Sequence, residues 1–322
     1  MRLRTLIAAA MGAALAAAAP AHALEKITTG LIGSPNTGGW PFYIGVSEGF
    51  FAKAGIEPQF VYVPTAPGLV QQLVGGSLDV VGNIGVVEPI HAVAKGAKIA
   101  ILRMTEGTTP YEMVAQPSIK SIKELKGKTI CIGGLMDINR VYLERIMQAN
   151  GLKDSDYDLL IIGNTAQRYA ALKSGTVAAT MLVPPTSFFA NKEGYSNLGL
   201  IKDYAKDIPM GSADVSIAWA DAHRDAAKEL VKVLDQSIAW FYDEKNRDKA
   251  IDILTKLSHA DRNQVAESYD FVHKIGMYEK GEGVSRTNLQ HLIDAMKSIG
   301  DLKGTPVKPE QLVIAGLTPL TP

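Results

Sequence analysis

The stretch Gly39-Trp40-Pro41-Phe42-Tyr43-Ile44-Gly45-Val46-Ser47-Glu48-Gly49-Phe50-Phe51-Ala52-Lys53-Ala54-Gly55-Ile56-Glu57-Pro58-Gln59-Phe60 decides the fold. It reads as a turn, one amphipathic helix over Trp40–Ala54, a glycine stop and the start of a strand. A polar loop, Ser34 to Gly39, delivers that helix from an earlier strand, Lys26–Gly33. A strand, a glycine-rich loop and a helix N-terminus make a concave place where backbone N–H groups are free to meet a ligand.

Outward from this unit the pattern alternates. Strands are expected at Pro58–Val63, Leu78–Asn83, Lys98–Thr105 and Tyr111–Gln116, with helices at Pro67–Val74 and Pro89–Ala94 between them. The order then repeats: strand Thr129–Gly133, helix Ile138–Asn150, strand Tyr157–Gly163, helix Ala166–Ser174, strand Ala179–Val183. Such alternation predicts an α/β protein with parallel strands. The repeat is visible in the letters, since Leu73-Val-Gly-Gly-Ser-Leu-Asp-Val-Val aligns with Leu172-Lys-Ser-Gly-Thr-Val-Ala-Ala-Thr at an offset of 99. Two similar lobes are expected.

Glu48-Gly49-Phe50-Phe51-x-x-x-Gly55-Ile56, reached through a Pro-containing loop, resembles the periplasmic solute-binding proteins of ABC importers for nitrate, sulfonates, taurine and thiamine-precursor pyrimidines. The resemblance covers nearly all of the chain after its first 23 residues. It implies a type II periplasmic binding protein, with two α/β lobes joined by two crossing strands and a ligand cleft between them. Lobe one is expected at 24–109, lobe two at 110–211, and a return to lobe one with C-terminal helices at 212–322. The outward crossing falls at Thr108-Thr109-Pro110-Tyr111; the return, through Pro209–Asp214, leads into Val215–Ala220. Asp221 reads as an N-cap for the long helix that follows. The resemblance also implies that the C-terminal helices pack on lobe one. The family's Gly-Ser/Thr-Leu/Val-Asp turn is present at Gly76-Ser77-Leu78-Asp79, but lobe two has Ala178 where Asp is usual.

The first residues read as an export signal. Arg2 and Arg4 precede an apolar run, Leu6 to Ala19, and Ala21-His22-Ala23 is an A-x-A cleavage site. Cleavage would leave 299 of the 322 residues, more than one core usually serves. It removes two of 33 basic residues and none of 33 acidic ones, leaving a net charge of −2. Neither that balance nor any basic run suits a nucleic-acid partner. Cys131 is the sole cysteine, in Thr129-Ile130-Cys131-Ile132, and reads as a small buried hydrophobe. A periplasmic monomer serving an inner-membrane ABC permease is the expectation.

In open α/β sheets ligands bind beyond the carboxyl ends of strands. That rule selects Asn36, Thr37 and Trp40 after the first strand, Thr65 after the second, Asn83 and Glu88 after the third, and Thr108 and Tyr111 at the crossing. In lobe two it selects Gly134, Asn139, Arg140 and Pro185, and at the return crossing Ser212 and Asp214. Arg140 is the most pointed of these. It sits in the first turn of a helix capped by Asp137, where a cation opposes the helix dipole, and a bound anion would explain it; the alternative is pairing with Asp137 or Glu144. Trp40 is a stacking candidate at the loop end, with core packing as the alternative. Glu88 and Asp214, if both line the cleft, favour a cationic or amide-bearing ligand over a bare anion.

No cofactor or metal is indicated. The glycines from Gly33 to Gly39 lack the lysine of a phosphate loop, Asp154–Asp158 fails as a calcium loop at Leu159 and Thr165, and the histidines have no ligand spacing. The leading expectation is a binding protein, not an enzyme, for a small organic sulfonate or carboxylate. A thiamine-precursor-like pyrimidine is the alternative ligand. The other readings are a same-fold enzyme, for which His91 would be the candidate reactive histidine, and a binding subunit of another transporter type.

Overall fold

Val- and Ile-rich strands separated by short helices follow the expected order. The computed structural model describes residues 24–281, 283–303 and 306–322; the expected export signal, 1–23, lies outside the described residues. The first run comprises β1 (Glu25–Ile32), α1 (Trp40–Ser47), α2 (Phe50–Lys53), β2 (Ile56–Val63), α3 (Ala66–Val74), β3 (Val80–Gly85), α4 (Val87–Ala94) and β4 (Ile99–Glu106). The second comprises β5 (Glu112–Ala115), β6 (Thr129–Ile132), α5 (Ile138–Ala149), β7 (Asp158–Ile161), α6 (Thr165–Lys173), β8 (Ala179–Leu182), α7 (Thr186–Lys192) and β9 (Ser196–Leu200). The chain ends with β10 (Gly211–Ser216), α8 (Ile217–Ala222), α9 (Arg224–Phe241), α10 (Arg247–Ser258), α11 (Arg262–Ile275), β11 (Val284–Ser285), α12 (Arg286–Ser298) and β12 (Leu320–Thr321).

Two five-stranded sheets share one design. Their orders are β2-β1-β3-β10-β4 and β7-β6-β8-β5-β9. In each, the fourth strand is the one that has just crossed from the other sheet, and it runs antiparallel to both neighbours. The repeat read at an offset of 99 lands on equivalent places, before β3 and before β8. Gly76 and Gly175 there have φ of 75° and 74°, a left-handed turn that favours glycine. Asp79, one residue before β3, accepts from Thr28 N at 2.8 Å, while its own N–H donates to Thr28 O at 2.9 Å. Ala178 keeps only the second of these, donating to Thr129 O at 2.8 Å. The Asp of this turn therefore ties β1 to β3, which is a structural task.

Three local expectations are corrected. The single helix over Trp40–Ala54 is two, because Gly49 adopts φ 70° and breaks it after Ser47. The return strand is Gly211–Ser216, not Val215–Ala220, and Ser216 caps α8 by accepting from Trp219 N at 3.4 Å. Asp221 lies inside α8, and His223 occupies the N-cap of α9 without a side-chain bond.

The first core buries α1 against α9, α10 and α11, with Trp40, Phe42, Ile44, Leu230, Leu234, Phe241 and Tyr269 in contact. The expectation that the C-terminal helices pack on lobe one holds for α9–α11. α12 packs on both lobes, since its Leu289, Leu292, Ile293 and Met296 join a cluster with Val86, Val87 and Ile90 of the first run and Val141, Tyr142 and Ile146 of the second. Ser298 Oγ donates to Glu144 Oε2 at 3.1 Å, His291 pairs with Asp207 at 2.9 Å, and His91 pairs with Asp301. The tail covers the open edge of β4, with Ile101 N donating to Leu312 O at 2.7 Å.

Candidate functional site

Short loops beyond β1, β3, β4 and β6, with the start of β10, bring polar groups of both lobes together. Asn36 caps a 3-10 turn over Thr37–Gly39, accepting from Gly38 N at 2.9 Å and donating to Ile32 O and Ser34 O. Asn83 ties this loop to β3, donating to Asn36 Oδ1 at 3.3 Å and accepting from Ile32 N at 3.0 Å. Tyr278, which follows α11, closes the loop from above by donating to Thr37 O. The loop stands against Glu106, at the end of β4. A Cβ on Gly38 would lie 2.7 Å from Glu106 Oε1, and one on Gly211 would lie 2.8 Å from Glu106 Oε2. Those two glycines give the carboxylate its room.

Glu88, in the first turn of α4, lies over Gly85, where a Cβ would stand 2.8 Å from its Oε2. That oxygen is buried without a hydrogen-bond partner. Burial pushes the Glu88 carboxyl up to about 7, and the charge of Asp137 from the other lobe adds to it. Burial alone pushes Glu106 to about 7. Asp214, on β10, is raised well above the usual carboxylate range by burial, opposed by the Ser212 hydroxyl donating at 3.1 Å and reinforced by Glu88. Among the described residues none of these three carboxyls makes an ion pair.

The facing wall belongs to α5. Asp137 caps it, accepting from Arg140 N at 3.2 Å. Its carboxyl crowds Gly133 and Gly134, where a Cβ would lie 2.7 and 3.1 Å from Asp137 Oδ2. Burial raises Asp137, while bonds from the Arg140 and Asn139 backbone and the charge of Arg168 lower it. Asn139 is buried and its Oδ1 has no partner. Tyr142, one turn on, is fully buried, its hydroxyl has no hydrogen-bond partner, and its ring is 6.2 Å from that of Tyr111.

Two expectations are overturned here. Trp40 is not at the cleft mouth: it is 0% exposed, donates from Nε1 to Ala250 O at 2.8 Å, and packs on Phe241 and Tyr269. Gly38-Gly39 and Pro41 flag a loop end, but α10 and α11, two hundred residues on, cover the ring. Arg140 does not present its charge to the cleft. Its guanidinium is bonded to Asp154 and, at 3.3 Å, to Tyr157 Oη, ahead of β7. Neither Asp137 nor Glu144, the partners weighed for it, receives it.

Of the remaining candidates, Thr65 is an exposed N-cap of α3, accepting from Gly68 N at 3.3 Å. Pro185 opens α7, half-buried. Thr108 donates its N–H to Met277 O at 3.3 Å beside the outward crossing, and Tyr111 lies half-buried against Tyr142. Sequence reasoning missed Glu106, Tyr142, Arg168 and Tyr278. Glu106 was within reach, being an acid at the carboxyl end of an apolar strand. Arg168, 2% exposed, reads in sequence as an ordinary helix-surface cation. It donates instead to Gly163 O at 3.0 Å, Met181 O at 3.3 Å and Thr165 Oγ1 at 3.2 Å, beneath the Gly133 loop.

Two α/β lobes of matched strand order, joined by two crossing strands, define a type II periplasmic binding protein fold. The chain belongs to the NMT1/THI5 like family, whose sequence profile matches residues 36–247. No curated protein matches it in sequence. Among solved structures it is similar to the periplasmic aliphatic sulphonate binding protein SsuA of Escherichia coli, with TM-score 0.73 and 19% identity over 91% of this chain and 98% of that one. A ligand binding component of an ABC-type import system from Staphylococcus aureus, solved with zinc bound, gives TM-score 0.74 and 17% identity over 91% and 97%. A Candida albicans gene product described as having the generic periplasmic binding protein fold gives 0.71 and 16% over 92% and 98%. These likenesses establish the fold. Among the described residues no helix is long and apolar enough to cross a membrane.

Proposed function

We propose that the protein is the exported, periplasmic solute-binding component of an ABC-type importer. It closes on a small molecule and delivers it to a permease in the inner membrane, acting as a monomer with no nucleic-acid partner and no catalysis of its own. The lobes would divide at 24–109, 110–211 and 212–322. The observation that carries this reading is the approach of Glu88, from one lobe, to Asp137, from the other, beside two buried polar atoms without partners, Glu88 Oε2 and Asn139 Oδ1. A gap lined this way is stabilised when a ligand bridges it, which is the free energy that favours a closed state.

The expected organic sulfonate or carboxylate rested on Arg140 with the helix N-termini, and on Trp40 and Tyr111 for an apolar body; Arg140 is engaged by Asp154 and Tyr157, and Trp40 is in the core. A pyrimidine remains compatible with a cleft rich in acceptors. The enzyme alternative needs a reactive histidine or acid in the cleft, and the one histidine near a predicted cleft loop, His91, is paired with Asp301. The test is X-ray scattering with and without a compound that raises the melting temperature. The radius of gyration should fall on binding. An unchanged scattering curve at saturating ligand would count against a closing transporter component.

A further inference from the structure

We propose that the cleft takes a small organic cation, an amidinium or protonated amine presenting several N–H groups, held by Glu88 and Glu106 with the Asp214 carboxyl behind them. This rests on the solute-binding reading above and names the ligand class of the same site.

The argument is one of complementarity. A buried acceptor without a donor costs about 1–3 kcal/mol, more if it is charged. Glu88 Oε2 and Asn139 Oδ1 come from opposite lobes, and both are buried without partners. The Tyr142 hydroxyl, on a wholly buried side chain, lies beside Thr109, Tyr111 and Glu106. A ligand with N–H groups on more than one side satisfies the two acceptors.

Charge gives the sign. Glu88 lies in the field of Asp214 and Asp137, and Glu106 stands across the paired Gly85 and Gly211 from it; among the described residues Glu88, Glu106 and Asp214 have no ion-pair partner. Arg168, near Asp137, is held by two carbonyls and a threonine hydroxyl and offsets that one carboxyl. Arg140 points its charge to Asp154. An anion entering this space would meet three carboxyls, and a like charge desolvated beside them is penalised steeply. A cation would meet them as partners in charge-assisted hydrogen bonds. Among the described residues no three Asp, Glu, His or Cys converge as a metal site.

The same groups give the pH dependence. Burial holds the Glu88 and Glu106 carboxyls near 7 in the free protein, so a cation must displace their protons as pH falls. The groups facing Glu88 are Asp214 and Asp137, and those facing Glu106 are Tyr142 and Tyr278.

The experiment is calorimetric titration of the purified protein at pH 8 with benzamidine, 4-aminopyridine and putrescine, against ethanesulfonate, benzoate, nitrate and uracil, with thermal unfolding in parallel. At least one cation should bind. Glu88→Gln and Glu106→Gln should each weaken it at least tenfold, and wild-type affinity should fall at least tenfold between pH 8 and 5.5. Both variants remove a buried charge at pH 8, so they should fold and be no less stable than wild type. Binding of ethanesulfonate, benzoate, nitrate or uracil with no cation binding overturns the charge assignment and leaves the solute-binding reading standing. Cation binding that both variants retain at full strength also overturns it. If none of the three cations binds, the charge assignment fails, and the solute-binding reading is decided separately by the scattering test.

Discussion

Replacing Arg140 with Met separates a structural role from a ligand role. The side chain is 9% exposed, and its guanidinium bonds Asp154 and, at 3.3 Å, Tyr157 Oη. Methionine keeps most of the apolar stem, so the loss is in hydrogen bonding and charge. A fully buried pair broken on one side costs about 3–5 kcal/mol. Asp154 is 56% exposed at its side chain and keeps the Tyr157 hydroxyl as a donor at 2.9 Å. Water therefore takes over much of the missing partner, and the solvent-facing half of the pair contributes little. The net cost should be about 1–2 kcal/mol, read as a lower urea midpoint at unchanged slope. Affinity for any compound that stabilises the wild type should change by less than twofold. A variant with an unchanged midpoint and tenfold weaker binding would show that Arg140 reaches the ligand, and the assignment of its charge to Asp154 would be wrong.

Trp40→Ala should lower stability by about 3–5 kcal/mol, the usual range for emptying a buried aromatic site. Because Ala250 lies within α10 and its carbonyl also serves the helix, Trp40→Phe should lose only the net worth of one hydrogen bond plus a modest packing defect. Urea unfolding checks both, and a Trp40→Ala protein as stable as wild type would refute the core placement. Stability of the ligand-free protein should fall as pH rises from about 4.5 to 7. Glu88 and Glu106 hold their protons more tightly folded than unfolded, so the native state binds more protons across that window. Each contributes up to roughly 3 kcal/mol. Glu88→Gln should flatten the profile, and a wild-type midpoint that climbs over this window would contradict the assignment.

Much of the architecture could be read from the letters because it is local. Apolar runs bounded by glycine mark the strands, and the matched turns at Gly76 and Gly175 announce two similar halves. Asp137 as an N-cap is likewise a short-range signal. The site was harder, since its decisive contacts span long separations. Trp40 is covered by helices two hundred residues away. Arg140 looks unpaired until the segment before β7 folds back to place Asp154 beside it. Glu106 and Glu88 are ordinary acids in sequence, and only the missing counter-charge makes them informative. That absence is a property of the assembled cleft, which no window of sequence contains. Gly49 is the opposite case: a local breaker, present in the letters, was read through because the apolar pattern continued on either side.

The placement of α12 bears on how the two halves move. Two peptide crossings alone would let them swing over a wide arc, as a door does on two pins. Here a third element lies along the seam, apolar toward both halves and fastened by Ser298 to Glu144 and by the segment after it to His91. Rotation must shear this greased contact, and packed side chains resist shear in discrete steps. The empty protein should therefore hold a narrow spread of inter-lobe distances. On the proposed closing mechanism, such a brace leaves the lobes less rotational freedom to lose when they shut.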